Sequence, residues 1–285
     1  MLDTIKDNHV TTEIVAGAIA LVLGSYIWER KVRDRISVKH IKSAKDRDVG
    51  GLIELYISLF PDDGINYSAD DLMAIFQSVS DIKRKRHVRV KDIILAAKYR
   101  NSIVGFLFCH YYPDRKKAII SYYGIDKEVT EARKGAAFTL LTKIRSILTH
   151  THNCDFLFFD VERPFERRLK EENAKRKARI VLFKQNAISL GFHAYMLDFD
   201  YQQPKITLAK GTHEDSLLLM FVPLKTFHET KLSKDEVVNF LSFVYLDCYG
   251  DVYDMDDKRF LKYHQYLIKR VRDYEKSLPS TIHIQ

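Results

Sequence analysis

Two long apolar runs joined by a short polar turn constrain the fold of this chain more than any other feature. The segment "DIILAAKYRNSIVGFLFCHYYP" is rich in β-branched and aromatic residues on both sides of Arg100 and Asn101. Apolar runs around a tight turn of this kind are typical of a β-hairpin. A third strand is predicted directly afterwards, in "KKAIISYYGID". The chain must therefore build part of its core around an antiparallel sheet.

Helix and strand patterns alternate along the rest of the chain. A short strand at Val38–Ile41 precedes two predicted helices, one from about Asp46 to Phe60 and one from about Ser68 to Ser80. The later segments are a helix at Gly135–His150, the buried strand "CDFLFFDVE", a basic helix at about Phe165–Gln185, and strands in "FHAYMLDFDYQQP" and "DSLLLMFVPL". Helices packed on a mixed sheet follow from this order, so the fold class is α/β, of the α+β kind.

The composition limits the classes of partner that this chain can bind but does not select one of them. The 285 residues are 46% hydrophobic, which is enough for one large core, and the formal net charge is +8. This charge favours anionic partners, such as a phosphorylated cofactor, an acidic membrane surface or nucleic acid. The three cysteines, Cys109, Cys154 and Cys248, are far apart in the sequence and predict reduced thiols. The histidines show no ligand spacing, so no metal site is predicted.

The N-terminus carries an uncharged apolar run, "IVAGAIALVLGSYIW", from Ile14 to Trp28. The run is short for a bilayer span, which needs about 17–25 residues, but Val10–Thr12 would lengthen it. The basic segment "ERKVRDRISVKHIK" follows at once, which places the rest of the chain on the cytoplasmic side. We predict a single-pass anchor at the cytoplasmic face of the cell membrane, with anionic lipid bound by the basic flank. A buried N-terminal helix in a cytoplasmic protein is the alternative.

The order of three short motifs resembles a known superfamily. "YYGID" closes a central strand, "RKGAA" opens the next helix, and "LFKQNAISLGF" leads into the penultimate strand. Over about Val38 to Leu224 the chain resembles the GNAT superfamily of acyl-CoA-dependent N-acetyltransferases. The segment "ARIVLFKQNAISLGFHAYMLDFDYQQP" resembles a poorly characterised bacterial group with a Tyr-x-Gln-Pro motif. The resemblance implies a mixed, mostly antiparallel twisted sheet flanked by helices.

The anchor prediction and the resemblance together divide the chain into three parts. Residues 1–35 form the membrane anchor or hydrophobic helix with its basic flank, residues 36–225 the GNAT-like acetyltransferase domain, and residues 226–285 a helical C-terminal extension. The extension shows two helical patterns around Gly250 and an aromatic stripe. We expect this stripe to pack on the acetyltransferase domain or across a homodimer.

The resemblance implies that acetyl-CoA is the acyl donor. The family's pyrophosphate loop has Gln or Arg, two variable residues, Gly, one variable residue, and Gly or Ala. Gly135 and Ala137 match this pattern, whereas Ala132 occupies the Gln or Arg position and Arg133 is displaced by one residue. A glycine at a helix start lets backbone N–H groups approach a phosphate. The predicted cofactor-binding residues are Gly124, Ile125, Arg133, Lys134, Gly135, Ala136 and Ala137.

The strand before this loop supplies the second half of the implied coenzyme site. In the family, the end of this strand splays from its neighbour and offers backbone N–H and C=O groups to the pantetheine arm, as an exposed strand edge would. The matching residues are Tyr123, Gly124 and Ile125. A plain core strand is the alternative for the same segment.

Two acids end the buried strand "FLFFDVERP" and are candidates for the general base. Asp160 and Glu162 lie two residues apart and therefore share one strand face. Desolvation by neighbouring phenylalanines raises the pKa of a carboxyl group toward the range suited to a general base. The neighbouring phenylalanines are Phe158, Phe159 and Phe165. Alternatively, Glu162 pairs with an arginine such as Arg163 or Arg179.

The proton donor for the leaving thiolate has three candidates in this sequence. Many family members place a tyrosine in the helix before the Gly-Phe turn, where this chain has Phe183. Tyr122, Tyr123 and Tyr201 are possible substitutes, and bulk water can also protonate a thiolate with a pKa near 8.5. We take Tyr123 as the catalytic acid.

The predicted function is N-acyl transfer from acetyl-CoA to an unidentified primary amine, by direct attack in a ternary complex. The alternative is a non-catalytic acyl-CoA-binding or membrane-associated interaction module with the same fold. The basic run "KRKRHVRVK" lacks the aromatic interleaving of a single-strand nucleic-acid platform. No specific nucleic-acid partner is expected, and anionic lipid is the simpler partner for this run.

Overall fold

The computed structural model describes residues 35–60, 68–80, 89–164, 170–205, 216–252 and 255–285. The apolar run at Ile14–Trp28, which predicted a membrane anchor, lies outside these ranges. Among the described helices, none combines the length and the apolar character that a bilayer span requires. The anchor therefore stays a prediction from the sequence.

An eight-stranded mixed sheet lies at the centre of the described structure. Its strands are β1 Ile36–Ile41, β2 Lys91–Tyr99, β3 Ser102–Tyr112, β4 Lys117–Ile125, β5 Phe156–Glu162, β6 Tyr195–Met196, β7 Tyr201–Gln202 and β8 Ser216–Pro223. The strand order is β1-β2-β3-β4-β5-β8-β6, with β7 also paired to β8. Only the β4–β5 pair is parallel among these pairings.

Helices cover both faces of the sheet, and a C-terminal extension covers part of one face. The helices are α1 Val49–Leu59, α2 Ala69–Ser80, α3 Thr130–Ser146, α4 Lys170–Ser189, α5 Lys234–Ser242 and α6 Phe260–Ser277. Helix α5 continues into a π-helical turn at Phe243–Cys248 and a 3₁₀ turn at Tyr249–Val252. Strands β9 Lys231–Ser233 and β10 Thr281–His283 form a separate antiparallel pair within the extension.

Side chains of β4 alternate between the two faces of the sheet, and their contacts show which helices cover each face. Ala118 and Ile120 pack in the cluster with α3 and α4, whereas Ile119 packs in the cluster with the extension. Tyr122 packs against a third cluster, which α1 and α2 build on β2 and β3. One sheet face is therefore covered by α3 and α4, and the other by α1 and α2 together with the extension.

The predicted hairpin and the mixed, mostly antiparallel sheet are confirmed for the described residues. Strand β2 ends at Tyr99 and β3 begins at Ser102. Arg100 and Asn101 have φ values of 49° and 69°. Positive φ at both central residues is the geometry of a type I′ turn, whose twist suits a two-residue hairpin.

The start of α3 differs from the prediction. The sequence pattern predicted a helix beginning at Gly135, but α3 begins at Thr130, five residues earlier. Val129 occupies the N-cap and makes no side-chain capping hydrogen bond. Because the usual Ser, Thr, Asp or Asn cap is missing, the sequence carries no signal for this helix start.

The predicted strand in "FHAYMLDFDYQQP" is also interrupted in the structure. Two backbone bonds, from Phe199 N–H to Leu197 O and from Tyr201 N–H to Phe199 O, turn the chain between β6 and β7. Residues on the β6 side then pair with the C-terminus through Met196 and Gln285. A single-strand prediction could not include this pairing, since the two segments are far apart in the sequence.

The aromatic stripe of the extension packs on the sheet, which is one of its two predicted positions. The rings of Phe240 and Phe243 lie 4.9 Å and 5.3 Å from that of Phe158 in β5. The Arg115 guanidinium donates to the buried carboxylate of Asp247 at 2.6 Å, which ties the turn before β4 to the extension. One core cluster thus contains residues from both sides of the predicted boundary at 225.

Candidate active site

Strands β4 and β5 separate at their C-terminal ends and open a gap in the middle of the sheet. Their parallel pairing runs from Lys117↔Phe156 to Ile120↔Phe159 and stops there. Strand β4 nevertheless continues to Ile125, and β5 continues to Glu162. Within the described part of the chain, the gap therefore has two unpaired strand edges as its walls, and it coincides with the predicted splay.

A β-bulge marks the point where the gap begins. The register with β3 shifts between Phe108↔Tyr122 and Cys109↔Ile120, which leaves Ser121 as the extra residue. A bulge of this kind bends the strand and increases its twist. The bend gives a physical reason why β4 leaves β5 directly after Ile120.

The edge of β4 that faces the gap carries backbone groups with no hydrogen-bond partner among the described residues. Asp126 N–H donates to Val104 O in β3, so the peptide groups of residues 124 and 122 also point toward β3. The N–H and C=O groups of Tyr123 and Ile125 therefore point to the side where β5 has moved away. These are the groups that the resemblance to GNAT proteins implied for a pantetheine arm.

Gly124 has a packing role in this strand. A Cβ at this position would lie 2.7 Å from Cζ of Phe106 and 2.8 Å from Cδ1 of Leu59. Only glycine lets the strand approach the end of α1 this closely. Gly124 thus sets the distance between the gap and α1, and a direct contact with a cofactor stays a prediction.

The side chain of Tyr123 points to the face covered by α3 and α4. Its ring lies 5.7 Å from the ring of Phe183 in α4, the residue that replaces the tyrosine expected in that helix. The Tyr123 hydroxyl is buried and has no hydrogen-bond partner within the described residues. Burial raises the pKa of this phenol well above its ordinary value. Tyr123 therefore stays protonated at neutral pH.

The predicted phosphate loop is divided between the start of α3 and its interior. Gly135 lies in the second turn of α3, and the side chains of Ala136 and Ala137 are buried. The side chains of Arg133 and Lys134 lie outside the described part of the chain. The unbonded backbone N–H groups of the helix belong to its first turn, which begins at Thr130.

Asp160 lies at the gap on the face opposite to Tyr123. Its Oδ2 accepts hydrogen bonds from the hydroxyls of Tyr201, at 3.2 Å, and Tyr249, at 3.5 Å. Its Oδ1 is enclosed and lacks a hydrogen-bond partner among the described residues. Burial raises the pKa of Asp160 to about 7, while the two tyrosine hydrogen bonds lower it. This carboxyl group can take up and release a proton near neutral pH.

The Tyr-x-Gln-Pro motif surrounds this carboxyl group. Tyr201, its first residue, is completely buried and donates to Asp160. Gln203, its third residue, donates through Nε2 to the Tyr249 hydroxyl at 2.6 Å. The motif therefore holds both tyrosines that contact Asp160, one directly and one through the amide.

The sequence did not predict the contact between Tyr249 and Asp160. Tyr249 belongs to the 3₁₀ turn of the extension and lies 89 positions from Asp160 in the chain. Burial first, and then the Asp160 charge, raise the pKa of Tyr249 well above its ordinary value. The aromatic stripe indicated that the extension packs somewhere, but no local motif indicated that it reaches this carboxyl group.

Glu162 makes a different set of contacts. Its carboxylate pairs with Arg176, at 3.4 Å, and more closely with Arg179, both on α4. Arg176 is buried and also donates to the backbone oxygen of Arg163 at 2.9 Å. These contacts hold α4 against the end of β5 and favour the ion-pair alternative for Glu162. The general-base prediction is therefore better supported for Asp160.

The described structure resembles solved N-acetyltransferases at low sequence identity. One is spermidine N-acetyltransferase from Vibrio cholerae in complex with CoA and spermine, with 12% identity, 67% of this chain and 96% of the other covered, and a TM-score of 0.44. Another is the ribosomal-protein-S18-alanine N-acetyltransferase from Escherichia coli, with 13% identity, 68% and 97% covered, and a TM-score of 0.41. No protein-family model and no curated protein matches the chain.

A third solved structure is a putative acetyltransferase from Salmonella typhimurium with its cofactor acetyl-CoA. Its sequence is 14% identical to that of this chain. The match covers 68% of this chain and 96% of the other, with a TM-score of 0.41. These values describe a likeness between folds. Substrate and mechanism have to be argued from the residues of this chain.

Proposed function

We propose that this chain is an N-acyltransferase that transfers an acetyl group from acetyl-CoA to a primary amine. The observation that carries the proposal is the gap between β4 and β5 beyond the Ile120↔Phe159 pair. One wall of the gap offers free backbone groups, and an acid with a pKa of about 7 lies beside it. Direct attack of the amine on a thioester held in this gap is the mechanism that we infer.

The donor side of the site is built from backbone groups. The amides of a pantetheine arm are matched by the N–H and C=O groups of Tyr123 and Ile125, as in the addition of a strand to a sheet edge. A pyrophosphate is matched by the first-turn N–H groups of α3, which have no side-chain cap. Arg133 ends this turn and Lys134 follows it, so both residues bring positive charge to the start of α3. In this arrangement the phosphate site begins at Thr130 and lies before Gly135.

The acceptor side is built around Asp160. The attacking amine must lose a proton, and a carboxylate with a pKa near 7 is a stronger base than an ordinary aspartate. As the amine nitrogen bonds to the thioester carbonyl carbon, its proton passes to Asp160 and the C–S bond breaks. The thiolate then takes a proton from bulk water. Burial makes the Tyr123 hydroxyl, the donor indicated by the sequence, a weaker acid than a thiol with a pKa near 8.5.

Binding of acetyl-CoA to the full chain tests the donor site. We expect calorimetric titration to show micromolar binding by the wild type. Ile125→Pro removes one N–H group that faces the gap, whereas Ile125→Ala causes a similar loss of side-chain packing and keeps that N–H group. We expect Ile125→Pro to bind roughly two- to tenfold more weakly than Ile125→Ala, the effect of one hydrogen bond. Absence of binding by the folded wild type would overturn the proposal.

Turnover distinguishes the enzyme from a binding module of the same fold. The wild type is incubated with acetyl-CoA and spermidine, free lysine or a peptide with a free amino terminus, and acetylated products are measured by mass spectrometry. We expect one of these amines to be acetylated at a rate that rises with pH through about 7. Asp160→Asn should lose this pH dependence and retain binding of acetyl-CoA. Binding without acetylation of any amine would favour the non-catalytic module.

A further inference from the structure

Three polar side chains form a continuous hydrogen-bonded row across β2, β3 and β4. The Nδ1 of His110 lies 2.7 Å from Oδ1 of Asp92. The Nε2 of the same ring lies 3.0 Å from Oγ of Ser121. An acid, a histidine and a serine in this order have the geometry of a nucleophilic triad, which is recognised by contacts and not by sequence position.

Strand register and the β-bulge bring the three residues together. Asp92 and His110 are direct partners in the β2–β3 pairing. Ser121 is the extra residue of the bulge in β4, so its side chain is placed beside His110 and not beside a regular ladder partner. The three residues lie on different strands, which explains why no short sequence motif reveals them.

The hydrogen-bonding roles in the row follow from the chemistry of the groups. An ionised aspartate only accepts hydrogen bonds, so the hydrogen between Asp92 and His110 belongs to Nδ1. In the neutral ring Nε2 is then the acceptor, and the Ser121 hydroxyl donates to it. This is the tautomer in which a histidine can take the proton of a serine that attacks a carbonyl carbon.

Exposure increases along the row toward the serine. The Asp92 side chain is 10% exposed and the His110 side chain 23% exposed. Ser121 is exposed to solvent. A partly buried acid, a partly buried base and an exposed hydroxyl place the reactive atom where a substrate can reach it.

The position of Ser121 in the sheet adds a second observation. Ser121 directly follows Ile120, the last residue of β4 that pairs with β5. The backbone of Ser121 therefore lies where the gap begins, whereas its Oγ is directed toward β3 and contacts His110 and Phe108 there.

A purely structural role for the row makes different predictions. Polar residues opposite each other on neighbouring strands stabilise a sheet without any reactivity. The Ser121 hydroxyl also lies 3.5 Å from the carbonyl oxygen of Phe108, within its own hairpin. A structural row would affect stability when it is mutated, whereas a nucleophilic row gives Ser121 a chemical reactivity that depends on His110.

We propose that Asp92, His110 and Ser121 form a nucleophilic centre that cleaves carboxylic esters or thioesters. Ser121 Oγ bonds to the carbonyl carbon, and its proton passes to Nε2 of His110. The bond to the leaving alcohol or thiol breaks as that group takes the proton from His110. Water then attacks the acyl-serine with His110 as base, which releases the carboxylic acid and restores the serine. Asp92 is a positioning residue that holds the ring in the required tautomer.

This activity does not depend on the proposed acetyltransferase function, because an ester without a coenzyme moiety can report it. The full chain is treated with a fluorophosphonate, which reacts covalently with activated serines, and the labelled residue is identified by mass spectrometry. We expect labelling at Ser121 of the wild type and none at this position in Ser121→Ala. No labelling of Ser121 in a folded wild type would overturn the proposal.

Variants of the other two residues separate reactivity from structure. We expect His110→Gln to lose labelling and Asp92→Asn to slow it by at least about 100-fold, as for loss of the correct histidine tautomer. Ser102→Ala, at an exposed serine of the hairpin, should label like the wild type. Hydrolysis of p-nitrophenyl acetate should follow the same order. Labelling of His110→Gln at the wild-type rate would show that the histidine does not activate the serine and would overturn the proposal.

Discussion

Asp160 obtains its chemical character from residues that are distant in the sequence. The surrounding phenylalanines indicated a raised pKa, and that direction agrees with the value of about 7 in the fold. The hydrogen bonds that hold the carboxylate come from Tyr201 and Tyr249, at sequence separations of 41 and 89 residues. The direction of the shift was therefore predictable, but its cause is only partly local. Phe159 packs in the cluster on the opposite face, Phe165 lies outside the described residues, and the hydrogen-bond partners depend on the tertiary fold.

The raised pKa of Asp160 predicts how stability depends on pH. Between the ordinary value of 3.8 and about 7, the folded state binds more protons at this carboxyl group than the unfolded state does. The free energy of unfolding should therefore fall as the pH rises through this window. Asp160→Asn removes the titration. We expect urea denaturation to show that the wild type loses roughly 2–3 kcal/mol more than Asp160→Asn between pH 5 and pH 8.

Tyr201→Phe provides the control for this prediction. It removes a hydrogen bond that favours the charged carboxylate, so the pKa of Asp160 should rise further and the loss of stability should extend to higher pH. The same pH dependence in the wild type and Asp160→Asn would show that Asp160 has an ordinary pKa in the folded state.

At the scale of the elements, the sequence predicted segments better than it predicted their ends and distortions. The hairpin around Arg100 and Asn101 was predictable because an apolar pattern and a turn coincide there. The start of α3 was not, because Val129 gives no capping signal. The bulge at Ser121 and the gap beside it arise from pairing between strands, and periodicity along one strand does not encode such pairing.

Gly124 connects one of these strands to a helix, and its substitution has a definite expected effect. The Cβ of Gly124→Ala would clash with the buried ring of Phe106 and with Leu59 at the end of α1. We expect a loss of about 1–3 kcal/mol in the free energy of unfolding, as for overpacking of a rigid core. Thermal and urea denaturation measure this loss.

Gly50→Ala is the control, in α1, the helix whose end packs against Gly124. A Cβ at Gly50 meets no atom within 4 Å. Alanine is preferred over glycine inside a helix, so this variant should be equal to the wild type or more stable by up to about 1 kcal/mol. Equal effects of the two substitutions would show that close packing at Gly124 does not limit the strand.

At the scale of the whole molecule, the core clusters share the strands of one sheet. Strand β5 contributes Phe159 to the cluster under α3 and α4, and Phe158 to the cluster under the extension. Strand β8 contributes Met220 and Leu219 to the same two clusters. Strands β5 and β8 each contribute side chains to both clusters. If one cluster became disordered, these strands would lose the packing on one of their faces, and the other cluster would lose its support.

This sharing predicts that residues 36–225 and the extension unfold together. Leu95→Ala removes a buried side chain under α3 and α4, and Leu267→Ala removes one in α6. Each should cost about 2–5 kcal/mol and shift the same single transition, whether it is monitored by far-UV circular dichroism or by tyrosine fluorescence. The double variant should show roughly the sum, since the two sites lie in separate clusters. If Leu267→Ala instead produced an early separate transition that left the second one unchanged, the extension would be an independent unit, and its contact with Asp160 would be expendable for the stability of the sheet.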